Sequence, residues 1–249
     1  MLAAAWAACP GVTRGASSSS KEEGSAVPEW ALVPTWDASS SRHGECLVSK
    51  PKVLIISAGG IGTTTTLSEF HKIQGLEANC PGDTDGLKHL PFNRLLTEHA
   101  EQISDVKRIL YLWGDPMHAV ASLYRRGFQV SQATKTRSEP FPDGSFSKEA
   151  AARATPLTIG GYARVHHDVF QLQKHIESYL AVRNESVGMA FLQMEKKTDH
   201  LDELARFLDV PRLELKKHLT PWRVARGSAH TPFPHGNSSS FSFALAACS

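Results

Sequence analysis

Apolar positions along this chain fall into short blocks punctuated by turn residues, and the blocks alternate between two periods. Val53–Ile56 is a β-branched run bounded by Pro51 and Ser57-Ala58-Gly59, the composition of a parallel strand buried on both faces. Arg108–Trp113 and Val187–Met194 read as two further strands. Between them the spacing turns helical: Leu67, Phe70 and Ile73 follow the first strand, and Ala119, Val120, Leu123 and Tyr124 form a stripe after the second. Asp115 and Pro116 are suited to cap and open that second helix. Val165, Val169, Leu172, Ile176 and Leu180 predict one long amphipathic helix over Tyr162–Val182, whereas the polar stretch Gln129–Pro156, broken by Pro140, Pro142 and Gly144, predicts a surface loop or substrate lid. Leu201, Leu204, Ala205 and Leu208 predict a helix capped by Thr198 or Asp199, and Pro211 opens a last one reaching Leu219. Strands alternating with helices give an α/β fold, a parallel sheet flanked by helical crossovers, with ligands expected at the carboxyl ends of the strands.

The first strand end carries the most chemistry. Ala58-Gly59-Gly60-Ile61-Gly62 leads directly into Thr63-Thr64-Thr65-Thr66 at the start of a predicted helix. Glycines permit positive φ and expose consecutive N–H groups, and the helix dipole adds positive potential at the same end, so the stretch is suited to cradle a phosphate. It is neither a Walker A loop, because Gly62 is followed by Thr63 and not Lys, nor a dinucleotide fingerprint, because Thr65 stands where the last glycine belongs. A tight strand-to-helix turn that binds nothing is the plain alternative. A nucleoside-phosphate kinase would need the missing lysine.

Composition narrows the setting. The 249 residues, 41% hydrophobic and 21% charged, suit one globular domain with poorly ordered ends. Residues 1–50 are a tail rich in Ser, Ala and Gly, residues 51–234 the folded domain, and residues 235–249 a second tail. The first twenty residues lack acids and carry Ser and Arg14 up to Ser20, the composition of an organellar transit peptide; without that role the protein is expected in the cytoplasm. A net charge of +2 argues against bulk nucleic-acid binding, and no run has the length of a membrane span. The cysteines at 9, 46, 80 and 248 are too scattered for a metal or redox motif, and a reduced state is the default. Sequons at Asn184 and Asn237 matter only in a secreted protein.

Other side chains add to the picture. Pro91 favours an extended Leu90, so His89 in Leu87-Lys88-His89-Leu90-Pro91-Phe92 sits at a strand end or loop, as a surface or satisfied histidine or as a base. Ser122 and Arg126 are four residues apart on one helix, with His118 and Arg125 on neighbouring faces; they form a solvated basic surface or a second anion contact. His166-His167-Asp168 is no metal site, since adjacent helical residues diverge by about 100°.

Taken in order, SAGGIGTTTT at 57–66, LKHLPF at 87–92, RILYLWGDPMHAVASLYRR at 108–126 and FLQMEKKTDHLDELARFLDV at 191–210 resemble the sulfotransferase family, which uses 3′-phosphoadenosine 5′-phosphosulfate as donor. The resemblance implies a P-loop-like nucleotide-binding architecture. It implies that Gly59, Gly60, Gly62, Thr63, Thr64 and Thr65 hold the 5′-phosphosulfate, and that His89 deprotonates an acceptor hydroxyl on a small molecule or glycan. It further implies that Ser122 and Arg226 contact the 3′-phosphate, and that Glu195 has a structural role. The lysine of the family's P-K-[ST]-G-T-[TS] loop falls at Gly60, and the arginine preceding its Asp-Pro step falls at Gly114. Lys88 or Lys72 is then expected to supply the missing cation, and Arg125, Arg126 or Arg226 to restore part of the phosphate contact of the family arginine. The alternative is a nucleotide-binding module of the same fold with impaired catalysis. No metal and no nucleic acid is expected to take part.

Overall fold

A computed structural model describes residues 50–165, 167–182 and 187–221. Arg226, both predicted tails apart from Lys50, His166 and the two sequon asparagines lie outside the described residues. Three strands, β1 (Val53–Ile56), β2 (Arg108–Trp113) and β3 (Gly188–Gln193), form a parallel sheet in the order β1-β2-β3. Val53 stands opposite Arg108 and Ile56 opposite Tyr111, while Arg108 stands opposite Gly188 and Trp113 opposite Gln193. All three strands lie where the apolar blocks predict them, and the α/β class follows.

Alternation along the strands loads both faces. Val53, Ile55, Leu110, Leu112, Ala190 and Leu192 point to one side, against α1 (Thr63–Phe70), α8 (Leu201–Leu208) and α9 (Arg212–His218). Leu54, Ile56, Ile109 and Tyr111 point to the other, against Leu95 of α2 (Phe92–Glu98) and Tyr179 of α7 (Leu172–Leu180). A third apolar cluster joins α3 (Pro116–Arg125), α4 (Gln129–Thr136) and α5 (Lys148–Ala154) through Val120, Leu123, Ala133, Phe141, Ala150 and Ala151. Beside β1, Asn79 acts as a substitute strand: its Oδ1 accepts from the Ile55 N–H at 2.7 Å and its Nδ2 donates to the Ile55 carbonyl at 3.1 Å. Among the described residues no helix is long and apolar enough to cross a membrane.

Several expectations need correction. The stretch 129–156 is not a loop: α4 and α5 form there because Ala133, Ala150 and Ala151 are small enough to seat α4 on α3 and α5 on α4, leaving Pro140, Pro142 and Gly144 in the connection between them. The long helix over Tyr162–Val182 is reduced to α7: α6 (Ile159–Tyr162) ends where the long helix is expected to begin, and α7 starts only after Gln171, which takes a left-handed φ of 52°. The fully buried residues of α7 are His175 and Tyr179, with Ile176 packed beside them, while Leu180 at the end of the predicted stripe is 48% exposed. Helix α8 is preceded by His200, without a side-chain cap, in place of Thr198 or Asp199. Helix α2 has no counterpart in the apolar pattern. Buried Cys80 is disulfide-bonded, contrary to the expected reduced state.

Candidate functional site

The carboxyl end of β1 turns through three glycines with left-handed backbones, Gly59 (φ 89°), Gly60 (79°) and Gly62 (87°), and enters α1 with Gly62 as its N-cap. The turn is braced from within. Ser57 Oγ accepts the Gly59 N–H at 3.0 Å and lies 2.5 Å from Thr63 Oγ1, both hydroxyls being buried. The first bond of α1 runs from Thr66 N to the Gly62 carbonyl at 3.1 Å, so the N–H groups of Thr63, Thr64 and Thr65 precede the helical ladder. No side chain caps them and no acid lies in the first turn, which leaves a concentration of positive potential at Gly62–Thr65.

Lys88 brings a cation to this point. Its side chain is 4% exposed, and its Nζ donates to Thr64 Oγ1 at 3.0 Å and to the Pro81 carbonyl at 2.8 Å. Burial pushes its pKa down, Lys135 and Arg126 push the same way, and Asp83 and Asp85 oppose them. The Lys88 carbonyl accepts the Ser57 N–H at 3.1 Å, so its backbone is fixed to the root of the glycine turn.

His89 lies alongside, also buried. Its Nδ1 is 2.8 Å from the Ser57 carbonyl, which can only accept, so Nδ1 carries the proton and Nε2 is left with its lone pair. Burial lowers its pKa to about 4, so the ring is neutral at pH 7. His175 supports it from below: Nε2–H donates to the His89 carbonyl at 3.1 Å, and Nδ1 accepts from the Tyr111 hydroxyl at 2.9 Å. Tyr179 donates to the next carbonyl, Leu90, at 2.6 Å. The Lys88–His89 turn is therefore held by β1, β2 and α7 together.

The remaining predicted residues lie at different distances from this centre. Ser122 is one turn beyond Ala119 on α3, the helix whose backbone abuts the glycine turn, and its carbonyl accepts from Arg126 Nε at 3.1 Å. Arg126 is exposed, stacks 5.2 Å from the Phe128 ring centroid and acts electrostatically on Lys88. Lys72 does not reach the turn: it is exposed and lies beyond the last residue of α1, a helix roughly 12 Å long at 1.5 Å per residue, at the end opposite the turn. Glu195 Oε1 accepts the Asp115 N–H at 3.1 Å and lies 3.0 Å from the point where a Cβ on Gly114 would sit, tying the ends of β2 and β3. A Cβ on Gly60 would come within 2.3 Å of the Ala119 carbonyl oxygen, so the turn is packed backbone to backbone on α3 at the position of the family lysine.

No family model, no curated protein and no solved structure matches the chain. The arrangement therefore rests on its own geometry.

Other members escaped the sequence pattern. Gln132 of α4 donates from Nε2 to the Ala58 carbonyl at 2.9 Å and covers Gly59. Asp83, in a turn-rich connector, pairs with Lys135 of α4 and accepts the Lys88 N–H at 3.0 Å. Both Gln132 and Lys135 belong to the segment expected to be a loop, and helical spacing of three residues is the one signal that could have placed them on a common face. Arg94 adds a clamp, donating from one guanidinium nitrogen to the Thr134 carbonyl at 2.7 Å and the Lys135 carbonyl at 3.2 Å, at the carboxyl end of α4. Among the described residues no group of three or more His, Cys, Asp or Glu side chains could hold a metal ion.

Proposed function

We propose that the protein is a divergent sulfotransferase-like enzyme. In this reading Gly59–Thr65 seats the phosphosulfate of 3′-phosphoadenosine 5′-phosphosulfate, and the sulfonate passes to a hydroxyl on a small molecule or glycan. The observation that carries the reading is the Lys88 ammonium, 3.0 Å from Thr64 Oγ1 at the mouth of α1 and adjacent to a neutral histidine. The acceptor oxygen attacks sulfur as the bond from sulfur to the bridging oxygen breaks. His89 Nε2 takes the hydroxyl proton, and 3′-phosphoadenosine 5′-phosphate leaves with the added negative charge. Lys88 and the N–H groups at Gly62–Thr65 stabilise that charge more in the transition state than in the ground state. Lys88 thus takes the part of the family lysine from a different element. A base with a pKa of about 4 is unprotonated throughout the physiological range but weak, and an anionic donor beside it would raise that value.

A second reading, a nucleotide-binding module without transfer, draws on the packing at Gly60 and on the burial of Lys88 and His89. One pair of experiments separates the two. Labelled donor incubated with phenols, alcohols and sugars is expected to give transfer that falls by about 10²–10³ in Lys88→Gln. Calorimetry with 3′-phosphoadenosine 5′-phosphate is expected to show binding. Binding without transfer selects the module, and neither binding nor a thermal shift removes both readings.

A further inference from the structure

We propose that Asp83 is a positioning residue of the site. Its carboxylate fixes the Lys88–His89 turn through the backbone and, with Lys135 of α4, sets the charge balance around the Lys88 ammonium. Three observations carry this. Asp83 Oδ1 accepts the Lys88 N–H at 3.0 Å, the residue on which both the ammonium and the following imidazole depend for their placement. Its other oxygen pairs with Lys135 Nζ, joining the connector before Lys88 to α4, which also touches the glycine turn through Gln132. The carboxylate is only 6% exposed, and Asp83 has a left-handed φ of 58°. A buried acid on a backbone conformation of this kind costs stability unless its contacts repay the strain.

The electrostatics agree with the geometry. The charged groups facing Lys88 are Asp83 and Asp85 from the connector, Lys135 from α4 and Arg126 from the end of α3, with His89 neutral beside it. Asp85 is committed elsewhere, accepting the Cys80 N–H at 2.5 Å and the Leu87 N–H at 3.3 Å, and burial raises its carboxyl. Asp83 is different. Burial works to raise it, but as the pH falls into the range where Asp83 itself titrates, His89 once protonated, with Lys135 and Lys88, outweighs burial and holds it below its ordinary value. Burial and two neighbouring cations push Lys88 down, and Asp83 is the larger of the two acids that oppose them, with Asp85 the smaller. Lys88 can favour an anion only while protonated, so the alkaline limit of anion binding is set through Asp83. This consequence for binding rests on the proposed anion seat, whereas the effect on Lys88 does not.

The test follows that division. Lysine labelled with 13C at Cε is titrated by NMR in the full chain, with Lys88→Gln assigning the resonance. Asp83→Asn keeps an oxygen for the Lys88 N–H and removes the charge, so the Lys88 midpoint is expected to move to lower pH; Asp83→Glu is expected to return it towards wild type. Lys135→Gln removes a like charge and moves the midpoint to higher pH, giving a second reading should Asp83→Asn fail to fold. An unchanged midpoint in a folded Asp83→Asn, or in Lys135→Gln, overturns the proposal, because a merely structural aspartate would alter stability alone. In parallel, calorimetry with inorganic pyrophosphate is expected to lose affinity about tenfold or more as pH rises through the Lys88 midpoint, and at lower pH in Asp83→Asn. If wild type binds no pyrophosphate at any pH, the anion seat fails while the NMR titration still decides the role of Asp83.

Discussion

Gly60→Ala tests the packing on which the question of catalysis turns. The new methyl would begin 2.3 Å from the Ala119 carbonyl oxygen and 2.7 Å from Ala119 Cα, backbone atoms that cannot rotate away. Relieving the contact requires α3 or the turn to shift by roughly 1 Å, and overpacking of this kind costs about 1–3 kcal/mol. The left-handed φ of 79° adds about 1–2 kcal/mol for any residue with a Cβ. The total is about 2–5 kcal/mol, a large share of the 5–15 kcal/mol typical of a domain. Gly75 supplies the control, because its φ is 82° and a Cβ there meets nothing within 4 Å. Gly75→Ala therefore carries only the backbone term, offset by about 0.4–1 kcal/mol from the stiffened unfolded chain. Urea unfolding of the two variants, followed by circular dichroism, is expected to separate their midpoints with unchanged slopes, Gly60→Ala being the weaker by about 1–3 kcal/mol. Equal destabilisation would refute the backbone-to-backbone contact. It would also reopen position 60 to a lysine, which this packing otherwise excludes.

Three further outcomes are expected. His89 is held to about 4 and His175 to about 3 by burial, both below the ~6.5 of an exposed imidazole, so the unfolded chain takes up protons first on acidification. Their contribution is complete above about pH 6.5 and is lost as pH falls towards 4 and then 3; urea midpoints that do not fall between pH 7 and pH 5 would contradict it. Tyr111→Phe leaves the buried His175 Nδ1 without its donor and is expected to cost about 1–3 kcal/mol, read from the same unfolding curves. Lys197→Met strips the partner from Glu69, whose carboxylate is 2.9 Å from Lys197 Nζ with both side chains buried. A loss of about 3–5 kcal/mol is expected, largely recovered when Glu69→Gln is added; additive effects in this cycle would deny the coupling.

The strands were legible because a parallel strand buried on both faces must be apolar throughout, and Val53–Ile56 and Arg108–Trp113 occupy the observed bounds. Asp115 and Pro116 likewise announced α3, and the Asp115 carboxylate accepts from Met117 N at 2.7 Å. Small residues deceived: Ala133, Ala150 and Ala151 carry little hydrophobic signal yet are fully packed, because their value lies in permitting close approach of helices. The site divides in the same way. Glycines and His89 stood out locally, since turn chemistry and the following proline act over a few residues. The pairing of Asp83 with Lys135 spans 52 positions and has no periodic signature. Similarly, His175 reads as an ordinary helical histidine until the fold places it beneath the His89 carbonyl.

Asn79 carries a consequence for how this protein behaves among its own copies. An outermost strand normally offers a row of unpaired donors and acceptors to any passing chain. On β1 the outward groups are already taken: Val53 donates to the Glu77 carbonyl at 3.0 Å, and both polar groups of Ile55 are bound by the Asn79 amide. One backbone bridge at Glu77–Ala78 and one side chain thus close a template for edge-to-edge aggregation without the length of another strand. Asn79→Leu would remove both bonds to Ile55 and reopen the edge there, turning a question of fold into one of solubility.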